Sequence, residues 1–219
     1  MLELDNICYQ YKKTNRDVLK SVSATFWRGR MTAVIGPSGS GKTTLLSIMA
    51  GLDRPTAGKV SIDEVDLATL DLDQYRRERT SMIFQAFHLF PLLTVMENVC
   101  YPMEAIKIGK NEAKKRATEL LESVGIGPDK HKRYPANLSG GEQQRVAIAR
   151  ALSTGAKLIL ADEPTGNLDK ENGDGVVNIL SELAHDKGYA VIVVTHNPEI
   201  AEASDVVYRM TDGVLSLVK

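Results

Sequence analysis

Short continuous apolar runs, separated by polar or glycine-containing turns, recur along most of the chain. Runs of this kind are typical of strands that are buried on both faces of a parallel sheet. They predict strands at residues 2–10, 21–27, 31–35, 58–62, 80–84, 157–162, 189–196, 205–210 and 213–218. Asp212 and Gly213 separate the last two runs, and this pair is typical of a two-residue hairpin turn.

A helical period of apolar positions marks other segments. It is clearest at residues 111–124, where Glu and Lys occupy one face and the other carries Ala113, Ala117, Leu120, Leu121 and Val124. The pattern also predicts helices at residues 42–50, 141–152 and 171–187. The order of elements is strand, glycine-rich turn, helix, a helical middle, then strand–helix–strand. This order predicts an α/β core with a mostly helical insertion at about residues 86–155.

The composition fits one continuous globular unit over residues 1–219, because no repeat or linker interrupts it. Basic residues number 27 and acidic residues 28, so the net charge of −1 argues against nucleic-acid binding through bulk charge. Cys8 and Cys100 lack the spacing of a metal site and predict reduced thiols in a cytosolic protein. No apolar run reaches the length of a membrane helix, so a role at a membrane requires another chain to span it.

The first candidate site is the glycine-rich turn at residues 36–43, which reads GPSGSGKT after an apolar strand and before a predicted helix. This is the pattern and the context of a phosphate-binding loop. Its glycines let backbone N–H groups surround oxyanions. Lys42 would add a positive charge at the β- and γ-phosphates, and the Thr43 hydroxyl would ligate Mg²⁺. A glycine-rich turn with an unrelated lysine is the alternative.

Acidic and polar side chains follow the predicted strands. Asp162 and Glu163 end the run LILA, and His196 and Gln85 end two others. The carboxyl ends of parallel strands form the crevice in which such sheets bind ligands. Asp162 would therefore hold Mg²⁺, Glu163 would deprotonate the attacking water, and His196 would donate to the γ-phosphate. A pair of solvated acidic residues at a turn is the alternative, and Gln85 alone is uninformative.

A second helix start at residues 138–142 reads LSGGE and also has the features of an anion site. The N–H groups and the dipole of a helix N-terminus attract anions, and glycine permits close approach. The alternative is that Ser139 and Glu142 form a capping box that only starts the helix. The two interpretations are compatible, and Gly140 and Gly141 favour the ligand role because glycine lowers helix stability.

These motifs, in this order, resemble the ATPases of ATP-binding cassette (ABC) transporters over nearly the whole chain. The resemblance rests on GPSGSGKTT (36–44), Gln85, LSGGE (138–142), LILADE (158–163), NLD (167–169) and His196. The segments GLDRPTAG (51–58), QAFHLFPLLTVMENV (85–99) and ADEPTGNLD (161–169) look closest to the branch that holds the macrolide exporter ATPase MacB and the lipoprotein-release ATPase LolD.

The resemblance implies an α/β P-loop NTPase fold. Residues 1–85 and 156–219 would form a RecA-like core with an antiparallel β subdomain, and residues 86–155 a helical subdomain that carries LSGGE. It also implies a homodimer in which ATP lies between the phosphate loop of one copy and LSGGE of the other. The residues implied at the nucleotide are Tyr11, Gly36, Pro37, Ser38, Gly39, Ser40, Gly41, Lys42, Thr43, Thr44, Ser139, Gly140, Gly141, Glu142 and Asp169.

Individual roles follow from the same resemblance. Tyr11 would stack on adenine, with Tyr9 as a less secure choice and strand packing as the alternative for both. Thr44 would lie near the α-phosphate, and Asp169 would contact the opposite copy. Gln85 would sense Mg²⁺ and the water, beside Thr43 and Asp162 as the metal-binding set.

We expect the protein to drive export of a drug, antimicrobial peptide or lipoprotein through separate membrane-spanning permease chains, on the cytoplasmic face of the membrane. The apolar residues 88–93 beside Gln85 are a candidate docking site for a permease helix, or they pack only within the insertion. Import, a soluble ABC ATPase acting on DNA or ribosomes, and a nucleotide-binding regulator without turnover are the other readings. The chain lacks the second cassette, long coiled coil or basic stripe of the soluble class.

Overall fold

The computed structural model describes residues 1–11 and 16–219. The strands are β1 (Leu2–Tyr11), β2 (Arg16–Phe26), β3 (Arg30–Ile35), β4 (Ala57–Ile62), β5 (Val65–Asp66), β6 (Thr80–Phe84), β7 (Leu158–Asp162), β8 (Ala190–Thr195), β9 (Val206–Thr211) and β10 (Val214–Leu217). The α-helices are α1 (Lys42–Met49), α2 (Leu72–Glu78), α3 (Val95–Ala105), α4 (Lys110–Ser123), α5 (Gly140–Leu152), α6 (Lys170–His185) and α7 (Pro198–Ala203).

A six-stranded sheet in the order β10-β9-β3-β8-β7-β6 forms the centre of the molecule. All of its strand pairs are parallel except the hairpin of β9 and β10. Ile35 pairs with Thr195, and Asp162 pairs with both Val194 and Phe84. The carboxyl ends of β3, β6, β7 and β8 therefore meet at one edge, and the residues that follow them lie close together.

The second sheet is antiparallel and has the order β2-β1-β4-β5. A buried apolar cluster fills the space between this sheet, helix α1 and one face of the central sheet. A second cluster joins the opposite face to α6 and to the packed helices α3, α4 and α5. Ala113, Ala117 and Leu121 on the predicted inner face of α4 are fully buried there. The α/β fold class with a helical part and an antiparallel sheet is confirmed.

Every predicted strand and helix occurs, with ends that differ by a few residues at most except in β2, which begins at Arg16 instead of residue 21. The sequence did not predict the short helices α2 and α7 or the two-residue strand β5, and it placed no individual helix at α3, which lies in the insertion predicted to be mostly helical. The division of the chain at residues 85/86 and 155/156 stays a prediction. Among the described residues, no helix has both the length and the apolar character needed to span a membrane.

Candidate functional site

An open cleft of about 1120 Å³ lies at the carboxyl edge of the central sheet. It is lined by many of the residues that the sequence selected, namely Tyr11, Gly36, Pro37, Ser38, Gly39, Gly41, Lys42, Thr43, Thr44, Gln85, Asp162, Glu163 and His196. Ser40 belongs to the same glycine-rich loop but is buried, and its hydroxyl has no partner among the described residues. The fold thus collects, from the ends of five strands (β1, β3, β6, β7 and β8), groups that are far apart in the sequence.

The glycine-rich loop ends in helix α1, and no side chain of the described residues caps this helix. Its N-cap is Gly41, whose φ of 109° suits glycine and few other residues. Because the first N–H groups of a helix have no partner within it, an uncapped start can bind an anion. The Lys42 ammonium lies against the loop and donates to the carbonyl oxygens of Gly36 at 2.8 Å and Pro37 at 2.9 Å.

Thr43 and Asp162 bring two oxygen ligands together at the base of the cleft. The Thr43 hydroxyl donates to Oδ2 of Asp162 at 3.2 Å. Burial raises the pKa of Asp162, and the charge of Glu163 adds to this effect, while the Thr43 hydrogen bond opposes it. A buried carboxylate beside another carboxylate is stabilised by a cation. Oxygen ligands of this kind are those that Mg²⁺ prefers, and it commonly takes only one or two carboxylates from the protein, so the pair fits Mg²⁺.

The Glu163 carboxylate is held at both oxygens. Oε1 lies 2.7 Å from Nδ1 of His196, and Oε2 accepts a hydrogen bond from the Thr195 hydroxyl at 3.0 Å. The Glu163 backbone has a φ of 46°, in the left-handed region, and its N–H donates to the carbonyl of Val194 at 2.9 Å. Strained backbone of this kind is concentrated at functional sites. The sequence reasoning missed Thr195, although a threonine that ends an apolar strand just before His196 was a usable signal.

Gln85 forms a reciprocal pair with Asn167. Its Nε2 donates to Oδ1 of Asn167 at 3.1 Å, and Nδ2 of Asn167 donates to the Gln85 carbonyl at 3.0 Å. This pairing ties the end of β6 to the loop after β7. Asn167 was noted only as part of the NLD motif, and its contact with a residue 82 positions away had no local signal.

Tyr11 lines the same cleft beside Thr44. Its hydroxyl is 3.2 Å from that of Thr44, and its ring is 47% exposed and meets the Tyr9 ring edge-on at 5.2 Å between centroids. Of the two tyrosines, only Tyr11 lines the cleft within the described part of the chain. An exposed aromatic face in this position is suited to stacking on a planar ring.

Ser139 and Glu142 form both halves of a capping box at the start of α5. The Ser139 hydroxyl accepts the Glu142 N–H at 3.3 Å, and Oε2 of Glu142 accepts the Ser139 N–H at 2.8 Å. Lys130 lies 2.7 Å from Glu142, and this contact, with the Ser139 N–H, lowers the pKa of the Glu142 carboxyl. The capping interpretation is confirmed, and the ligand role at this helix start stays a prediction.

Five of the selected residues lie away from the cleft. Among residues 1–11 and 16–219, the cleft lining does not include Ser139, Gly140, Gly141, Glu142 or Asp169. Asp169 caps α6 by accepting the Asn172 N–H at 2.9 Å, and this bond lowers the pKa of its carboxyl. Gly141 is buried against the Asn172 side chain. Within one chain, the two anion-type helix starts therefore do not share a ligand site.

Comparison with known proteins identifies close relatives of this arrangement. The family model described as ABC transporter matches residues 19–166. The macrolide export ATP-binding/permease protein MacB of Shigella flexneri is 45% identical over 97% of this chain, which spans 33% of that relative. The uncharacterized ABC transporter ATP-binding protein YvrO of Bacillus subtilis is 43% identical over 99% of this chain and 96% of its own length.

Two solved structures of the cassette MJ0796 superpose on the whole chain with a TM-score of 0.90. One is described as a dimeric ABC transporter cassette and is 38% identical. The other is described as a dimeric post-hydrolysis state bound to ADP and Pi and is 37% identical. In both, the match covers 99% of the solved chain.

Proposed function

Since the chain belongs to the ABC transporter family as one of its ATP-hydrolysing cassettes, we propose that two copies pair head to tail around two ATP molecules and drive export through membrane-spanning permease subunits. In this arrangement, the cleft of one copy holds the nucleotide, and the helix start at Ser139 of the other copy closes over it. The observation that carries this proposal is the separation of the two anion-type helix starts within one chain. The dimeric state of the MJ0796 cassettes supports it.

The phosphates are held by the glycine-rich loop. The N–H groups at the uncapped start of α1 face the oxyanions, and Lys42 turns from the loop carbonyls to the β- and γ-phosphates. Thr44 lies near the α-phosphate, and Tyr11 stacks on the base. These contacts bind and align ATP in one copy of the chain, before any partner takes part.

Thr43, Asp162 and Gln85, which line the same cleft, would hold Mg²⁺. When bound, Mg²⁺ would offset the negative charge that develops during phosphoryl transfer. Glu163 orients the attacking water and takes its proton, because its carboxylate is fixed at both oxygens and faces the cleft. His196 positions the γ-phosphate next to that carboxylate.

The second copy completes the site. The Ser139 hydroxyl and the N–H groups of Gly140 and Gly141 contribute hydrogen bonds to the γ-phosphate of the opposite nucleotide, and Asp169 contacts the opposite copy. Preorganised donors of this kind supply much of the stabilisation of a transition state. A single copy therefore binds ATP but turns it over slowly, and hydrolysis releases the pair, since the two states differ in these contacts.

The partner surface lies beside Gln85. Leu92 is 86% exposed, Phe90 is partly exposed and packs on Tyr101 at 4.9 Å between centroids, and Arg150 donates to the carbonyls of Phe87 and His88. These apolar residues lie in the loop between β6 and α3 and pack against helices α3 and α5, and an exposed apolar surface supported in this way is suited to a partner helix. We place the permease there, which puts the cassette on the cytoplasmic face of the membrane.

Export is favoured by the printed function of the MacB relative, which concerns a macrolide, and we extend it to the class of drugs, antimicrobial peptides and lipoproteins. We assign membrane spanning to separate permease chains because YvrO, matched over nearly its full length, is named an ATP-binding protein. Co-purification of the tagged cassette with a membrane protein, in amounts that rise with co-expressed permease, tests this partner. Recovery of the cassette alone from membranes that contain the permease would contradict it.

The dimer is tested with Glu163→Gln, which removes the proton acceptor and preserves the size of the side chain. We expect this variant to bind ATP normally, to lose turnover and to elute as a dimer when ATP and Mg²⁺ are present. Wild-type turnover should rise more steeply than linearly with protein concentration. A Glu163→Gln protein that stays monomeric with ATP, together with wild-type turnover strictly proportional to concentration, would refute the two-copy site.

A further inference from the structure

Thr195 is the last residue of β8, and its side chain is fully buried. Its hydroxyl forms hydrogen bonds with two groups, the Glu163 carboxylate and the Asn197 backbone. It donates to Oε2 of Glu163 at 3.0 Å and accepts the backbone N–H of Asn197 at 3.0 Å. Building on the proposed function, we infer that Thr195 is a positioning residue that sets the orientation of the Glu163 carboxylate and of the turn that carries His196.

The two partners of the Thr195 hydroxyl fix the direction in which its hydrogen points. The Asn197 N–H can only donate to the hydroxyl oxygen, and an ionised Glu163 carboxylate can only accept from it. The hydrogen of Thr195 is therefore directed at Glu163. A buried hydroxyl that both donates and accepts a hydrogen bond holds its partners in a better defined orientation than a freely rotating hydroxyl at the surface does.

Glu163 needs such a constraint because its backbone does not provide it alone. The residue follows the last strand residue Asp162 and has a left-handed φ of 46°. Its carboxylate would turn about the terminal torsion of the side chain, which is broad for glutamate. Thr195 donates to Oε2 at 3.0 Å, the His196 backbone N–H donates to the same oxygen at 3.4 Å, and the His196 ring meets Oε1 at 2.7 Å. These three contacts define the plane of the carboxylate, and the Thr195 bond is the shorter of the two at Oε2.

The same hydroxyl also constrains His196. The turn of residues 195–197 is closed by the bond from the Asn197 N–H to Thr195, and Asn197 then caps α7 by accepting the Glu199 N–H at 2.9 Å. Thr195 is not among the described residues that line the cleft, so it acts through Glu163 and His196 and not on ATP. Small misplacements of a reacting group lower the rate strongly, whereas binding depends on the separate phosphate loop.

The test is the isosteric change Thr195→Val, which keeps the β-branched shape and removes the hydroxyl. We expect kcat for ATP hydrolysis to fall tenfold or more, as part of the roughly 10²–10⁴-fold that a positioned base contributes. The KM for ATP and the dissociation constant of ATP should stay within twofold of wild type. Thr195→Ser retains the hydroxyl, and its kcat should remain within threefold of wild type.

Thr32→Val is the matched control, because Thr32 is also a buried threonine and pairs with Ile192 on the neighbouring strand of the same sheet. We expect its kcat to equal that of wild type. If Thr195→Val does not fold, the pair Thr195→Ala and Thr195→Ser decides the matter, since both lose the methyl group and only Ser keeps the hydroxyl.

Three outcomes would overturn the inference. The first is a Thr195→Val kcat equal to wild type, and the second is a serine variant as slow as the alanine variant. The third is a loss confined to KM. Glu163→Gln, measured alongside, separates the inference about Thr195 from the proposed role of Glu163. If Glu163→Gln loses turnover while Thr195→Val does not, only the role of Thr195 fails. If Glu163→Gln itself turns over ATP normally, the proposed function of Glu163 fails and the inference fails with it.

Discussion

Gly141 lies directly against the side chain of Asn172. A Cβ at position 141 would lie 2.0 Å from Oδ1 and 2.4 Å from Cγ of Asn172. The Asn172 amide is itself engaged, because Nδ2 donates to both carboxylate oxygens of Asp169 and Oδ1 accepts from Arg145 at 3.4 Å. The Asn172 side chain thus fixes the start of α5 relative to the start of α6.

Gly141→Ala should disturb both helix starts, since the new methyl group displaces the Asn172 amide from Asp169. We expect the free energy of unfolding in urea to fall by about 1–3 kcal/mol, the usual cost of overpacking. In a Glu163→Gln background, the ATP-dependent dimer should weaken tenfold or more in gel filtration. The affinity of the single chain for ATP should be unchanged, because neither helix start lines its cleft.

Gly140→Ala is the steric control, because a Cβ at position 140 would meet its nearest neighbour at 3.6 Å, an ordinary contact. Its unfolding free energy should equal or exceed that of wild type, as alanine is the better helix former. Equal stability of the two alanine variants would show that Asn172 does not occupy the space beside Gly141.

The central strands β3, β7 and β8 were predictable because they are covered on both faces, so their sequences are almost continuously apolar. The helices α2 and α7 were missed because they are short and depend on caps from Asp71 and Asn197 more than on an apolar period. Parallel strands also placed Lys42, Asp162 and His196 at one edge before any coordinates were known. The local pattern of apolar residues was therefore sufficient to predict those helices and strands whose buried positions recur at regular intervals along the chain.

The contacts that hold those groups were not predictable in the same way. Thr195 meets Glu163 across 32 positions, and Asn172 reaches Arg145 across 27. Each contact depends on the register of two elements that are distant in the sequence, and a single polar residue at a strand or helix end carries no periodic signal. The contacts of Asn167 and Asn172 can therefore be identified only from the packed structure.

Gly213, in the turn between β9 and β10, supports the phosphate loop from below. Its N–H donates to the Ser40 carbonyl at 3.1 Å, and its carbonyl accepts the Lys20 N–H at 2.8 Å. A Cβ at this position would lie 2.3 Å from the carbonyl oxygen of Val18. Gly213→Ala should therefore shift the loop and weaken ATP binding tenfold or more, as measured with a fluorescent nucleotide.

Gly188→Ala is the control for backbone strain alone. Gly188 has a φ of 67°, close to the 81° of Gly213, but a Cβ there would meet no atom of residues 1–11 or 16–219 within 4 Å. Because alanine is strained in the left-handed conformation, the free energy of unfolding of both variants should fall by about 1–2 kcal/mol. Only Gly213→Ala should lose ATP affinity, and an equal affinity in both variants would exclude a supporting role for this turn.

The ion pair of Glu142 with Lys130 should make stability depend on pH. The folded-state pKa of Glu142 is depressed, by Lys130 first and by the Ser139 N–H next. Its contribution is therefore fully present above the unfolded value of about 4.3 and is lost as the pH falls through the folded-state pKa.

Lys130→Met should lower the free energy of unfolding by about 1 kcal/mol or less at pH 7, because the pair is only partly buried. The difference from wild type should shrink as the pH is lowered from 6 to 3 in a series of urea titrations. Lys132→Met, at an exposed neighbouring position, should show no such pH dependence. A difference from wild type that grows towards pH 3 would contradict the assigned sign.

Gln144 lies within α5 and is fully buried, and neither its Nε2 nor its Oε1 has a hydrogen-bond partner among the described residues. An unpaired buried amide costs about 1–3 kcal/mol. Gln144→Met keeps the length of the side chain and removes both polar atoms, so we expect it to raise the free energy of unfolding by a similar amount. A loss of stability would show that the amide is paired after all.

The same variant can be combined with Glu163→Gln to measure ATP-driven dimerisation. If stability rises while this dimerisation weakens, the amide finds its hydrogen-bond partners in the nucleotide-bound pair. The unpaired amide in the free chain is then a consequence of that role.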